Sequence, residues 1–261
     1  MQDGDDVVDW RGFPIRCRDC PHEPLHRDGR CVKGQSCVRD QRARRVDRFF
    51  AQHPGLADDY VQHPYFEVRA VATRYCSLFK LPAQLSDTEP EVRAQAALRL
   101  PLARVEACAR DPEPRVRLAA ASRLEGPALM ALAHDEDAYV RLMVARQLPA
   151  ASLHVLLHDT DSEVRRLVAH RAPEVQLIVL ANDAEPLVRL EVAERLPVGR
   201  LHMLADDEDL RVRFTVAERL PIDQLGRYLE DPEPFIRDMV AQRVARETAR
   251  DAKEANHGPG A

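Results

Sequence analysis

Aromatic residues are scarce in this chain, 5% of its 261 positions, and several familiar signatures are missing altogether. No apolar run comes near the ~18 residues that cross a bilayer as a helix, and with 31% charged residues a membrane span is excluded. Basic charge is not in excess. Lys and Arg number 38 against 43 Asp and Glu, and a net charge of -5 gives no ground for a general polyanion binder. Met1 to Trp10 hold four Asp and no basic apolar stretch, so a secretory signal is not expected there and the expected compartment is the cytoplasm. Glycine-rich phosphate loops, an H-E-x-x-H helix and a nucleophile elbow are all absent.

Proline is abundant, with 19 residues, and it is periodic. The dipeptide Val-Arg recurs at Val68-Arg69, Val92-Arg93, Val116-Arg117, Val140-Arg141, Val164-Arg165, Val188-Arg189 and Val212-Arg213, and Ile236-Arg237 completes the series at a constant spacing of 24. Five residues before the Val stands an Asp (Asp87, Asp111, Asp135, Asp159, Asp183, Asp207, Asp231), with His63 in the first repeat. Five after it stands an Ala, from Ala97 to Ala241, and eight after it usually a Leu. Proline follows in five repeats, as Pro101, Pro149, Pro173, Pro197 and Pro221.

One copy, Asp183 to Pro197, shows the physics. Pro186 suits the first helical position, where its missing N–H is an orphan in any case and its φ is already helical. Val188, Val192 and Leu196 then share one face at i, i+4, i+8, and Ala193 beside them lets a neighbouring helix approach closely. Pro197 ends the helix after about three turns by disfavouring helical geometry in the residue before it. About ten residues remain before the next Asp, and Leu201 and Leu204 at i, i+3 within them suit a turn or two of 3-10 helix. A second full α-helix does not fit, and no sheet is expected. One repeat cannot enclose its own apolar face, so an all-α solenoid of eight stacked repeats is predicted over residues 62–254, followed by a frayed tail at 255–261.

Arg follows the Val in all eight repeats, and a second Arg stands six residues later in six of them, Arg99, Arg123, Arg171, Arg195, Arg219 and Arg243. These columns admit two readings, a stripe for nucleic acid or a ladder in which Arg pairs with the Asp and Glu columns of adjoining repeats. Charge favours the ladder. Residues 1–60 hold 11 basic and 11 acidic residues, so the repeats carry the whole net charge of -5, whereas a solenoid that wraps DNA should be basic. Nucleic acid is therefore not the expected partner.

Nine of the thirteen aromatics lie before Lys80, which marks residues 1–61 as a separate small module with its own core and a connecting helix around Arg44 to Gln52. Its chemistry sits in Cys17, Cys20, Cys31 and Cys37, spaced C-x2-C-x10-C-x5-C. Four thiols in a reduced compartment are not expected to form two disulfides, and so small a module needs a staple such as a metal site. On residues alone zinc and iron–sulfur remain even. The Cys31 to Cys37 gap is wide for a zinc knuckle, Cys20-Pro21 suits a ferredoxin-like ligand, and the basic surroundings of Arg11 to Phe50, 11 basic against five acidic, suit either dianionic site. His22 and His26 are read as solvated loop residues, and Cys76 and Cys108 as core thiols.

The unit Asp-x-Glu-Pro-x-Val-Arg-x-x-Val-Ala-x-Arg-Leu-Pro, preceded by four cysteines, resembles the leucine-rich repeat variant family across nearly the whole chain. The resemblance implies alternating α- and 3-10 helices in a right-handed superhelix without sheet. It also implies a 4Fe-4S cluster on Cys17, Cys20, Cys31 and Cys37, with one structural zinc on the same ligands as the alternative. It supplies no established activity. The function expected is that of a scaffold whose repeats bind an unidentified protein partner, the cluster having a structural or a redox- or oxygen-sensing role. An electron carrier is the alternative and nucleic-acid binding ranks third. Catalysis is not expected: His134, His154, His158 and His170 fall in differing columns, and four ligands leave no open iron for a substrate.

Overall fold

The computed structural model describes residues 7–255; among them the regular structure is helical, with three isolated bridges in the amino-terminal module (Val8–Pro14, Asp9–Asp40 and Val32–Ser36). The tail expected to fray lies, from residue 256 on, outside the described residues. The chain divides into two compact units, Met1–Val144 and Ala145–Ala261. Both are built from the same 24-residue pair of elements.

The longer element is an α-helix: α1 Ala43–Gln52, α2 Phe66–Tyr75, α3 Pro90–Ala97, α4 Pro114–Ala121, α5 Ala138–Gln147, α6 Ser162–Arg171, α7 Pro186–Arg195, α8 Leu210–Arg219 and α9 Pro234–Ala255. Two signals start most of these helices interchangeably. Pro90, Pro114, Pro186 and Pro234 occupy the first helical position. In α5, α6 and α8, which lack that proline, an aspartate stands at the N-cap: Asp137, Asp161 and Asp209 each accept, at 2.9 Å, the backbone N–H two residues on, whereas α1 and α2, with Arg42 and Tyr65 at the N-cap, have neither signal. Proline ends most helices, and Gly126, at φ +56°, marks the turn after Leu124 where none follows. Ala245 stands where five other repeats have proline, and α9 accordingly runs on to Ala255.

Val188, Val192, Ala193 and Leu196 are fully buried, and so are Ala97, Ala121, Ala145, Ala169 and Ala217. Ala241, in the last repeat, is exposed because no further repeat covers it.

The shorter element carries an inward pair at i, i+3 in every repeat, among them Leu129/Leu132, Leu153/Leu156, Leu177/Leu180 and Leu201/Leu204, all buried. The expected 3-10 form occurs at Ala150–Leu156 and Val198–Leu204, whereas Leu81–Gln84, Leu102–Val105, Gly126–Met130 and Glu174–Leu180 close as short α-turns. Residues i and i+3 share a face in either helix, so the same leucine pair accepts both.

The first arginine column forms the expected ladder. Arg69, Arg93, Arg117, Arg165, Arg189 and Arg213 each grip the Asp 18 residues on in a bidentate pair, with Nε–Oδ2 of 2.7–2.9 Å and Nη2–Oδ1 of 2.8–3.2 Å. Nη1 donates to the carbonyl six residues back, as from Arg93 to Asp87 at 2.9 Å. Each Asp also accepts the N–H two residues on, Asp183 from Glu185 at 2.9 Å, so one carboxylate turns its own chain and ties the preceding repeat. The second column departs from expectation. Its partners are backbone carbonyls at the end of the preceding helix: Arg99 donates to Thr73 at 2.7 Å, and Arg195 to Ala169 and, at 2.9 Å, Ala172. A helix end offers orphan C=O groups and negative dipole, which a guanidinium satisfies as well as a carboxylate would satisfy it.

The 24-residue period continues upstream of the eight repeats, into the module, as a degenerate copy. Counting 24 back from α2 reaches α1, and the 3-10 turn Pro54–Asp59 after it keeps the inward pair as Ala57 and Tyr60. Phe49 fills the alanine column and Arg45 the first arginine column. His63, in the aspartate column, does the turn-forming work with its ring: Nδ1 accepts the Tyr65 N–H at 3.1 Å.

Candidate metal-cluster site

The degenerate first repeat is what positions the cysteines. Arg45, whose ladder partner would fall at His63, pairs instead with Asp40 at 3.0 Å, a carboxylate only 1% exposed. Asp40 Oδ1 also accepts the Arg42 N–H at 3.0 Å, which fixes the chain between the fourth cysteine and α1. The Arg45 carbonyl in turn accepts the Cys37 N–H at 3.1 Å.

Cys37 lies in that fixed segment and is buried. A hydrogen bond from the Cys31 thiol, with the N–H groups of Arg39 and Asp40, brings its pKa down to about 7 against the opposing effects of burial and the Asp40 charge. Cys31, also buried, is pushed up by donating that bond and by burial, and further by the charges of Cys37, Cys20 and Cys17. Cys17 is raised by burial and by Cys37 and Cys20, against the pull of Lys33 and Arg39. The four sequence-predicted ligands therefore share one electrostatic neighbourhood. Two are buried, and Cys17 and Cys20 are half-buried at its edge. Among the described residues no group of three or more His, Cys, Asp or Glu closes on the position of a single ion. The chemistry of the donor set nonetheless suits a thiolate-bound group of net negative charge: the four thiols act on one another electrostatically, two backbone N–H groups serve Cys37, and Lys33 and Arg39 offset the charge at Cys17.

The histidines correct the sequence reading. His22 is not a solvated loop residue: Nε2 meets the Tyr60 hydroxyl at 2.6 Å and the ring packs on Phe49 at 5.2 Å. Burial lowers its pKa, as does the nearby His53, against the opposing charge of Asp59. His53 bonds the Arg30 carbonyl and His26 the Cys31 carbonyl, both at 2.8 Å. Two imidazoles, His22 and His53, thus hold the loop between Cys20 and Cys37 onto α1 and the turn after it, and His26 bonds within the loop. Cys76 and Cys108 are buried away from the site, as core thiols. The sequence reading missed Asp40, Arg45 and Tyr60; extending the 24-residue period upstream places Arg45 and Tyr60 in their columns, whereas Asp40 lies outside the aspartate column, which falls at Arg39.

Residues 7–59 match the family described as "LRV protein FeS4 cluster", and residues 114–137 and 210–233 match "Leucine rich repeat variant". A solved structure titled "A leucine-rich repeat variant with a novel repetitive protein structural motif" superposes with a TM-score of 0.79 at 36% identity, covering 88% of this chain and 98% of that one. The chain belongs to the leucine-rich repeat variant family. A further relative, the "Uncharacterized 27.7 kDa protein in nifB 3'region" of Rhodobacter capsulatus, is 43% identical over 90 residues, 34% of this chain and 37% of its own length. This leucine-rich repeat variant is accordingly an iron–sulfur repeat protein with the cluster module at its amino-terminal end and the family's strand-free solenoid after it.

Proposed function

We propose that this leucine-rich repeat variant is a nitrogen-fixation-associated protein-binding scaffold, that Cys17, Cys20, Cys31 and Cys37 hold one 4Fe-4S cluster, and that it catalyses no reaction of its own. The observation that carries the reading is the pairing of the repeat arginines: the ladder is satisfied internally, leaving an exposed helical surface and, among the described residues, no convergent set of catalytic groups. A cavity of about 510 Å³ lined by Asp183, Arg189 and Asp207 is occupied chemically by the ladder itself. When bound, the cluster would supply a one-electron redox centre and tie the two ends of the Cys17–Cys37 loop to each other. Lys33 and Arg39 offset its charge, the Arg39 and Asp40 N–H groups hold the Cys37 sulfur, and Arg45 with Asp40 holds those N–H groups in place.

Loss of the cluster would leave the loop without its internal tie and change the end of the scaffold, making partner binding redox- or oxygen-sensitive. The test is affinity capture with cluster-loaded and cluster-free full-length protein. Recovery of partners by the loaded form alone is expected, and equal recovery removes the sensing role. An electron carrier is the second reading, favoured by the half-exposed Cys17 and Cys20. A reversible potential with no partner retained on the repeats would establish it instead.

A further inference from the structure

In a chain so poor in aromatics, only four lie after Phe79: Tyr139, Phe214, Tyr228 and Phe235. Tyr228 fills the inward column and is 2% exposed. The other three lie outside the inward columns. Phe235 is 66% exposed and stacks on Phe214 with ring centroids 5.2 Å apart. Leu187 shares the column of Phe235 and Leu190 that of Phe214, and they extend the apolar surface onto α7. Packing within and between repeats is complete without these side chains, since the inward columns of α7, α8 and α9 are already buried.

The rim of this patch is acidic. Glu194 and Glu218, both exposed and in one column, and Asp238 have no cation partner among the described residues. Arg211, which stands between Leu187 and Phe235 in their column, is neutralised by Asp209 in a bidentate pair at 3.0 and 2.7 Å. Glu191 is bonded to His170 at 2.6 Å. The first compact unit lacks such a rim: Arg74, Leu98 and Ser122 stand there in the column of Glu194 and Glu218.

We infer that the outward face of α7, α8 and the first turns of α9 docks a polypeptide helix with an apolar ridge and a basic flank. The inference rests on the scaffold reading and names the partner chemistry. Exposed aromatics in a small, acid-rimmed apolar patch are the anchors of a protein interface. The acidic rim repels nucleic acid and acidic helices alike. A helix suits the surface better than a strand, because a helical face has no free backbone N–H or C=O to extend a sheet. Three neighbouring helices at ~8–10 Å separation span roughly 20 Å, which ~13 helical residues cover.

The probe is an 18-residue peptide with Leu at i, i+3, i+4, i+7 and Lys on its flanks, titrated into full-length protein beside the same Leu ridge flanked by Glu. The Lys-flanked peptide should bind, and Phe235→Ser and Glu194→Lys with Glu218→Lys should each weaken it at least tenfold. Phe13→Ser, at an exposed aromatic in the cysteine module, should not. All these side chains are exposed, so unchanged circular dichroism will show that folding is intact. Equal binding by Phe235→Ser, or tighter binding of the Glu-flanked peptide, overturns the inference and leaves the scaffold reading standing. Self-association abolished by Phe235→Ser would make the occupant a second copy and also overturn it. Loss of every captured partner without any dependence on the repeats would sink the scaffold reading itself.

Discussion

At Arg117 the guanidinium is bonded on every side: Nε and Nη2 to Asp135 at 2.7 and 2.8 Å, Nη1 to the carbonyls of Asp111 and Pro112 at 3.0 Å. Its side chain is 7% exposed and that of Asp135 5%. Removing one member of such a pair leaves a buried charge and two unpaired carbonyls, so Arg117→Ala should destabilise the protein by about 3–5 kcal/mol in urea denaturation. Arg115, 58% exposed and bonded to Glu91, serves as the control: Arg115→Ala should cost under about 1 kcal/mol. Equal costs would mean that the ladder contributes no more than a surface pair.

At the scale of the element, each helix must fit against its neighbours through one alanine. Ala193 is fully buried, and Ala193→Leu should cost about 1–3 kcal/mol by overpacking, whereas Ala241→Leu at the uncovered end should be close to neutral in the same thermal melts. A neutral Ala193→Leu would show that the facing of the helices is wrong. This regularity was legible in the sequence because Val-Arg, Asp and Ala recur in fixed register and each has a physical job in one copy. What was not legible has particular causes. Backbone carbonyls carry no sequence signature, so the partners of Arg99 and Arg195 were invisible. The repeat at α1 was hidden because Arg44 replaces the column valine and Phe49 the column alanine, a change that serves contact with His22. In the cysteine module, spacing identified the four thiols, but their second layer, Asp40 with Arg45 and His22 with Tyr60, depends on long-range pairing that spacing does not report.

For the whole molecule, the ladder makes stability depend on acid. Burial pulls the carboxyls of Asp135 and Asp183 up, but the guanidiniums of Arg117 and Arg165 with the N–H groups of Asp137 and Glu185 bring both below the ordinary aspartate value. A lowered folded-state pKa lends stability that is fully present above the unfolded value, near ~4, and is lost as pH falls through the folded one. Urea midpoints should therefore hold from pH 7 to 5 and fall below pH 4, with net proton uptake on unfolding. A midpoint that rises on acidification would contradict the ladder account.

The central claim is that the four cysteines of the amino-terminal module carry an iron–sulfur cluster, and the most direct measurement is metal and sulfide analysis of protein made and purified without oxygen. The wild-type protein should be brown and contain iron and acid-labile sulfide in equal amounts, about four of each per chain. Cys20→Ser should bleach it, and Cys108→Ser, at a buried core thiol, should leave colour and iron unchanged. An anaerobic sample that is colourless, holds one zinc and contains no iron or sulfide would contradict the account.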